Sequence, residues 1–336
     1  MSQITIIDLA QRLGLSKSTV SRAFRDSSDI SPKTKARILA KAEELGFSPN
    51  LYASNLRVNR SQTIAIIIPE FGNNFFSQAI KGIELVARSK KYHTLVYVTD
   101  NSVQNEASIV RSLANGRVDG VLISASGEGK DHSHLQTMKD HNIPVVFFDR
   151  SYGDYPSYFV TGNDFESSRL ATQHLIDNGC KRIAYLAINQ MVSIGKIRMD
   201  GYKKALEDNG LDFDEQLLLD TENDEDVNKE AIRELIRTKQ PDGVFASVER
   251  LAISTIRVVN EEGLKIPNDI KLICFSCLDI ADLLSPSLSV VKQPAYEMGR
   301  EAAKFLFGQI NEPVGLEEQH TTWLESSLIF QRSSRK

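Results

Sequence analysis

Between Lys17 and Arg22 the chain places one lysine, one arginine and the hydroxyls of Ser18, Thr19 and Ser21 within six positions. Such groups exchange hydrogen bonds with nucleic-acid base edges, and the two cations add attraction to phosphate. They follow Gly14, Leu15 and Ser16, the joint between two short helical patterns in "TIIDLAQRLGLSKSTVSRAF". A second set is spread along the chain: Phe75 and Phe76, Asp149 and Arg150, Arg198, Val248 and Glu249, and Ser276. Aromatic faces beside carboxylates and guanidiniums suit a polyhydroxylated or planar polar ligand, because stacking covers one face while paired hydrogen bonds fix hydroxyls or carboxylates.

The first set needs three helices to hold it. Thr5 with Asp8 three residues on reads as a capping box, Leu9, Ala10 and Leu13 line one face, and Gly14 ends the helix. Ser16 caps a second helix whose Val20, Ala23 and Phe24 turn inward, leaving Lys17, Ser18, Ser21 and Arg22 outward. Ser31-Pro32 opens a third, through Ile38, Ala42 and Leu45 to Gly46. The start of that helix, with Lys33, Thr34 and Lys35, is suited to a phosphate. A helix-turn-helix presents the start of its second helix to the major groove.

In "FSPNLYASNLRVNRSQT", Asn50 caps a helix of about two turns, well short of the roughly 12 to 15 residues that hold together alone. The sequence therefore predicts a segment that orders only when something packs on it. Leu56 is suited to wedging between base steps in the minor groove, with Arg57 and Arg60 on phosphates. A plain interdomain linker is the alternative reading of the same residues.

From Thr63 onward, apolar runs of strand length alternate with amphipathic helical stretches: "TIAIIIP", "TLVYVT", "DGVLIS", "IPVVFFD", "KRIAYLA", "DGVFAS" and "KLICFS". Runs without polar alternation predict strands covered on both faces, hence parallel strands joined by helices. A break near Tyr155 to Asn163 marks passage to a second lobe, and strands around Leu288–Val291 and Thr321–Leu324 cross back. Ligands in open α/β sheets sit beyond the strand C-termini, and that rule selects the second set of residues. Asp149 and Arg150 also read as an ion pair at the lobe junction, and Phe75 as core. Trp323 reads as packing, and His132 and His134 as a solvated helix start rather than metal ligands.

The chain of 336 residues carries a net charge of -4, which argues against general polyanion binding. Residues 1–60 nevertheless hold ten Lys/Arg against five Asp/Glu, a local charge of +5, and the remainder holds 30 against 39, or -9. Three cysteines without zinc-finger spacing fit a reducing cytoplasm, and Cys274 and Cys277 read as buried strand-end thiols. "MSQITIIDLAQ" has neither the basic start nor the apolar stretch of a secretory leader, and no apolar run reaches about 18 residues. The expectation is a cytoplasmic protein without membrane, metal or cofactor. "IFQRSSRK" adds no leucine heptad, so a dimer is expected rather than a larger assembly.

These stretches together resemble the LacI family of bacterial transcriptional regulators. The resemblance rests on "TIIDLAQRLGLSKSTVSRAF", "ISPKTKARILAKAEELGFSPN", "PNLYASNL", "VFFDR", "RMDGYKKAL" and "PSLSVVKQPAYEMG", and covers nearly the whole chain. It implies an N-terminal all-α helix-turn-helix domain (1–47), a hinge helix and linker (48–61), and an α/β bilobed periplasmic-binding-protein-like domain (62–336) that binds effector and dimerises. The two doubly wound parallel-sheet lobes would comprise about 62–160 with 292–322, and about 161–291 with 323–336. It further implies a homodimer on a pseudo-palindromic operator, read by Lys17, Ser18 and Arg22 and wedged by Leu56. Thr5, Thr19, Ser21, Lys33, Thr34, Asn50, Ala53 and Arg57 complete the expected DNA-facing set.

Effector roles carry over to Phe76, Asp149, Arg198 and Gln293. The chain departs from the family at three places: Ala53 is followed by Ser54 instead of arginine, Val248-Glu249 stands for the common Asn-Asp pair, and Ser276 replaces an aspartate. Fewer carboxylates leave room for a sugar acid held by Arg198 beside the expected sugar. The effector site is thus expected to comprise Phe75, Phe76, Asp149, Arg150, Arg198, Val248, Glu249, Ser276 and Gln293.

A solute receptor of periplasmic type has no use for residues 1–60. An enzyme on this body would need a phosphate loop or nucleophile elbow, and no GxGxxG, GxxxxGK[ST] or GxSxG occurs in such a place. If Arg22 reads a base, Arg22→Ala weakens binding to a specific duplex more than to a scrambled one. Titration of both duplexes checks this; an equal loss on the two makes Arg22 a phosphate contact.

Overall fold

The computed structural model describes residues 4–24, 29–47, 60–127, 131–188, 193–221 and 224–335. They form two compact units, Met1–Ser61 and Gln62–Lys336. In the first, helix α1 (Ile6–Leu13) starts at the capping box, with Thr5 N donating to Asp8 Oδ2 at 2.8 Å and Asp8 N to Thr5 Oγ1 at 3.3 Å. The Thr5 hydrogen bonds hold the Asp8 carboxyl below its usual range. Gly14, at φ 64°, ends the helix in the left-handed conformation that glycine adopts freely. Helix α2 (Lys17–Phe24) follows, and α3 (Pro32–Glu44) is capped by Ser31, whose hydroxyl accepts from Thr34 N. Leu9, Leu13, Val20, Ala23, Ile38 and Ala42 close the core. Arg37 of α3 donates to the free carbonyl of Leu13 at 2.9 Å, tying the third helix to the end of the first. The sequence-expected hinge residues Asn50, Ala53, Leu56 and Arg57 lie outside the described residues.

In the second unit, β1 (Thr63–Ile68), β2 (His93–Val98), β3 (Gly120–Ile123), β4 (Val145–Phe148), β5 (Tyr158–Gly162) and β11 (His320–Leu324) form one sheet in the order β11-β5-β4-β3-β1-β2. The other sheet joins β6 (Ile183–Ile188), β7 (Leu218–Thr221), β8 (Gly243–Ala246), β9 (Lys271–Phe275), β10 (Ser289–Lys292) and β12 (Ser327–Ile329) in the order β12-β10-β9-β8-β6-β7. The intervening helices are α4 (Asn74–Ser89), α5 (Val103–Leu113), α6 (Gln136–Asp140), α7 (Asp164–Asp177), α8 (Ser193–Asp208), α9 (Glu225–Lys239), α10 (Glu249–Glu261) and α11 (Ala295–Asn311).

Both faces of each sheet are covered, which is why the interior strands read as unbroken apolar runs. Ile64, Ile66 and Ile68 of β1 face one core with α4 and α11, while Ala65 and Ile67 face another with α5. Tyr185, Phe245 and Phe275 do the same against α7 and α8 in the second lobe, opposite a core built with α9 and α10.

Four expectations are corrected. Strands β5, β7 and β12 were not foreseen: the break read over Tyr155–Asn163 holds β5, and β12 runs antiparallel to β10. β7 and β12 are short edge strands without the apolar run that marks a covered one. The lobe boundaries fall later than 160/161, 291/292 and 322/323, because Thr161 and Gly162 pair with Trp323 and Leu324 in the first sheet and Lys292 pairs with Ser327 in the second. Trp323 is 60 % exposed, since β11 has a neighbour on one side only. His134 is not solvated: its ring Nε2 lies 2.8 Å from Oε1 of the wholly buried Glu106, which also accepts from the Tyr152 hydroxyl and from Ser126 N. A buried carboxylate needs donors, and this one recruits them from positions that only the fold brings together. His132 is half-buried beside Asp154 at 3.3 Å.

Cys180, Cys274 and Cys277 are free and buried, and burial pushes the Cys180 and Cys277 thiols up to about 12, which suits inert core groups. No helix among the described residues is long and apolar enough to cross a membrane.

Each lobe carries a helix crossing without room for a side chain. A Cβ on Gly82 of α4 would lie 2.1 Å from the Tyr296 carbonyl oxygen, and one on Gly299 of α11 would lie 2.0 Å from that of Ala79. In the second lobe a Cβ on Gly201 of α8 would lie 2.2 Å from the Phe165 carbonyl oxygen of α7. Gly299→Ala must push two backbones apart and is expected to cost about 1–3 kcal/mol or more. Gly308→Ala, in the same helix with nothing within 4 Å, is expected to gain up to about 1 kcal/mol. Denaturant unfolding of the two variants checks the pair; equal effects would remove the steric account.

Candidate functional site

On the helix-turn-helix unit, Lys17, Ser18 and Arg22 are exposed on one side of α2, with Thr19 and Ser21 half-buried beside them. Ser16 Oγ accepts from Thr19 N at 3.1 Å and lies 2.8 Å from the hydroxyls of both Ser18 and Thr19. The N-terminus of α2 is thereby capped and its hydroxyls are held in a cluster. Arg22 Nε donates to the Ser18 carbonyl at 3.4 Å, and its guanidinium lies 3.9 Å from Asp29. Both side chains of that pair are half exposed or more, so it restrains Arg22 weakly. Lys33 is exposed at the start of α3. Thr5 and Thr34 are engaged in the caps of α1 and α3, so part of the expected DNA-facing set builds the helices that present the rest.

In the second unit, the C-terminal ends of the strands face a cleft of about 380 Å³, counting the space open to solvent. The first lobe contributes Asn73 from the turn after β1, Phe75 and Phe76 from the first turn of α4, and Asp149 and Arg150 from the turn after β4. Ile194, Gly195 and Arg198 of α8 and Ser247 and Val248 after β8 close it from the second lobe, and Gln293 lies on the return crossover. Phe75 and Phe76 meet edge to face at 5.1 Å, so they are core and cleft wall at once. Asn73, Ile194, Gly195 and Ser247 were not foreseen. Ser247 directly follows a strand and is the one that the strand-end rule reaches.

Asp149 stands at φ 63°, in the left-handed region, and Arg150 N donates back to the Phe148 carbonyl at 2.7 Å. This kink at the strand end aims the carboxylate into the cleft. Its Oδ2 accepts from Ser124 at 3.3 Å and lies 3.6 Å from Arg150 Nε, so the ion pair foreseen at the lobe junction is present. Burial pushes the Asp149 carboxyl up to about 6, against the pull of Arg150 and Arg198.

Arg198 donates to Asp164 Oδ1 at 2.8 Å and to the Ser247 carbonyl at 2.7 Å, and its guanidinium lies 3.8 Å from the centre of the Phe275 ring. Its charge is already met by Asp164, which removes the reason to assign it a sugar acid. Arg150 donates to Asn101 at 3.0 Å, but its buried Nε has no hydrogen-bond partner, and neither has the buried Nε2 of Gln293. Both residues border the cleft. Glu249 and Ser276, expected among the effector contacts, lie outside it: Glu249 accepts from Ser276 Oγ and from Asn74 Nδ2, both at 2.7 Å. Two short polar side chains that satisfy one another do not reach the ligand space.

Residues 5–50 match the family model described as bacterial regulatory proteins, lacI family, and residues 172–334 match that of the periplasmic binding protein-like domain. The chain is similar to catabolite control protein A of Priestia megaterium, 28% identical over 315 residues that span 92% of this chain and 93% of the relative. Among solved structures, the transcriptional regulator CelR in complex with cellobiose superposes with a TM-score of 0.73 at 27% identity, over 98% of this chain and 100% of that one. The lac repressor dimer bound to operator and an anti-inducer matches over the whole of both chains with a TM-score of 0.87; at 20% identity it shows the fold.

Because the folded carboxyl of Asp149 titrates near 6, against an ordinary 3.8, folding takes up a proton between those values. The contribution of this group is full below about pH 4 and is lost as pH rises through about 6. Asp149→Asn leaves Arg150 without its counter-charge and is expected to be less stable than the parent at pH 4, with a deficit that shrinks as pH rises to 7 and the parent alone meets the cost of its buried charge. Urea unfolding of both proteins across this range checks it; parallel curves would show that Asp149 carries its charge without cost.

Proposed function

The chain belongs to the LacI family of bacterial regulatory proteins, and on that premise we propose a sequence-specific transcriptional repressor whose hold on operator DNA is set by an uncharged, sugar-like effector bound between the lobes. The protein acts as a homodimer on a pseudo-palindromic duplex, each helix-turn-helix entering the major groove with Lys17, Ser18 and Arg22 toward the bases. Residues 48–61 carry the change between units, and Leu56 is the minor-groove wedge. It works in the cytoplasm and as a binder, not an enzyme.

The observation that carries the effector reading is the pairing within the cleft. Arg198 is balanced by Asp164 and Arg150 by Asp149, while the donors left over, Arg150 Nε and Gln293 Nε2, each need an acceptor oxygen rather than a further charge. A sugar supplies such oxygens, offers hydroxyl protons to Asp149 and lays an apolar face on Phe75 or Phe76. An anion would add a charge with no unpaired counter-charge in the lining.

The test selects operator sequences from randomised duplexes with the full chain, then screens neutral sugars, sugar acids and sugar phosphates by thermal shift. A pseudo-palindrome should emerge, and a neutral sugar at about 100 times its Kd should stabilise the protein by about 2.7 kcal/mol. The same sugar must change operator affinity by the factor by which operator changes sugar affinity. Selection without enrichment sinks the DNA reading, and stabilisation by anionic sugars alone sinks the neutral effector.

A further inference from the structure

We infer that Glu249 is a built-in latch: a carboxylate of the chain itself that holds the two lobes together before any effector arrives. The inference rests on reading the cleft as the effector site and concerns how that site is kept closed. Asn74 is the first residue of α4 in the first lobe, and Glu249 is the first residue of α10 in the second. Their side chains meet at 2.7 Å, and each residue stands at the positive N-terminal end of its helix, where an anion is favoured.

Glu249, buried to 8 % exposure, provides that anion. One oxygen takes the Asn74 amide proton from the opposite lobe, while the other takes the Ser276 hydroxyl proton at 2.7 Å from the end of β9. Ser276 Oγ in turn accepts from Leu278 N at 3.0 Å, so the carboxylate is held from behind. Hydrogen bonds to an ionised acceptor in a dry setting are about twice as strong as neutral ones. Two further contacts bridge the lobes nearby, Arg250 with Glu70 at 3.7 Å and Gln78 with Asp279 at 3.2 Å. They are longer and more open to solvent than the Asn74–Glu249 bond.

This accounts for the departure of Glu249 and Ser276 from the ligand lining: they work on the lobes instead. The effector then meets a site already near its bound shape, which removes the affinity lost when the competent state is rare. Glu249 acts here as a positioning residue.

The test uses the full-length dimer with spin labels at Ser112→Cys and Thr238→Cys, exposed positions on α5 and α9, diluted with unlabelled chain; the native cysteines are buried. Without sugar, the parent should give one short inter-lobe distance. Asn74→Ala should add a longer one, raising the open-to-closed ratio about tenfold or more, while Asn74→Gln, which keeps an amide donor, should return toward the parent. Glu249→Gln, neutral but similar in shape, should fall between. An Asn74→Ala protein that melts like the parent and keeps its distances overturns the latch, as does a parent already open. Neutral sugars that fail to re-close Asn74→Ala count against the effector reading alone.

Discussion

A guanidinium buried as deeply as that of Arg198 keeps its charge only beside another charge, and its 2.8 Å contact with Asp164 is the interaction around which the ligand-binding unit is arranged. Asp164 opens α7 immediately after the chain has crossed from the first sheet, where the helix N-terminus favours a carboxylate. Arg198 reaches it from α8, donates to the Ser247 carbonyl beyond β8 and covers the ring of Phe275 at the end of β9. One side chain thereby joins the crossover, a helix and two central strands at the point where the cleft has its floor. Removing one member of such a pair strands the other, at a cost of about 3–5 kcal/mol.

The same rule governs the rest of the cleft. Arg150 is set beside Asp149, whose own burial lifts its carboxyl toward neutrality. Glu249 is placed where two helix ends and two donors meet it. With the charges matched within the chain, the donors that lack partners are those of Arg150 and Gln293, and a buried donor without an acceptor costs about 1–3 kcal/mol. On the proposed reading, a ligand's oxygens relieve that deficit.

The lobes repeat one construction. Each has a sheet, parallel but for β12 at the edge of the second, covered on both faces, and a helix pair brought into backbone contact by glycine, Gly82 and Gly299 in one and Gly201 in the other. The backbone passes between them after Gly162, Lys292 and Leu324. Rigid lobes joined by a few crossing strands suit a motion in which packing inside each lobe is kept and contacts across the cleft are exchanged.

Much of this was legible in the residues. Thr5 with Asp8, Gly14, Ser16 and Ser31-Pro32 marked the ends of three helices because caps act over three or four residues, a range that sequence displays. Most covered strands announced themselves as apolar runs, though the interior strand β5 was hidden in what read as a break, and the strand-end rule reached Phe75, Phe76, Asp149, Arg150, Arg198 and Val248 of the cleft lining. The short edge strands β7 and β12 stayed hidden, since a strand exposed on one edge needs no such run. Glu249 and Ser276, expected beside the ligand, bind each other, and His134, expected in solvent, serves Glu106. The sequence by itself determined the architecture and the residues that border the cleft at the strand ends, because periodicity and capping are local. Tertiary structure alone decided which carboxylate each arginine meets and which donors are left over, because a buried charge takes its partner from whatever the fold brings within about 3 Å, at any distance along the chain.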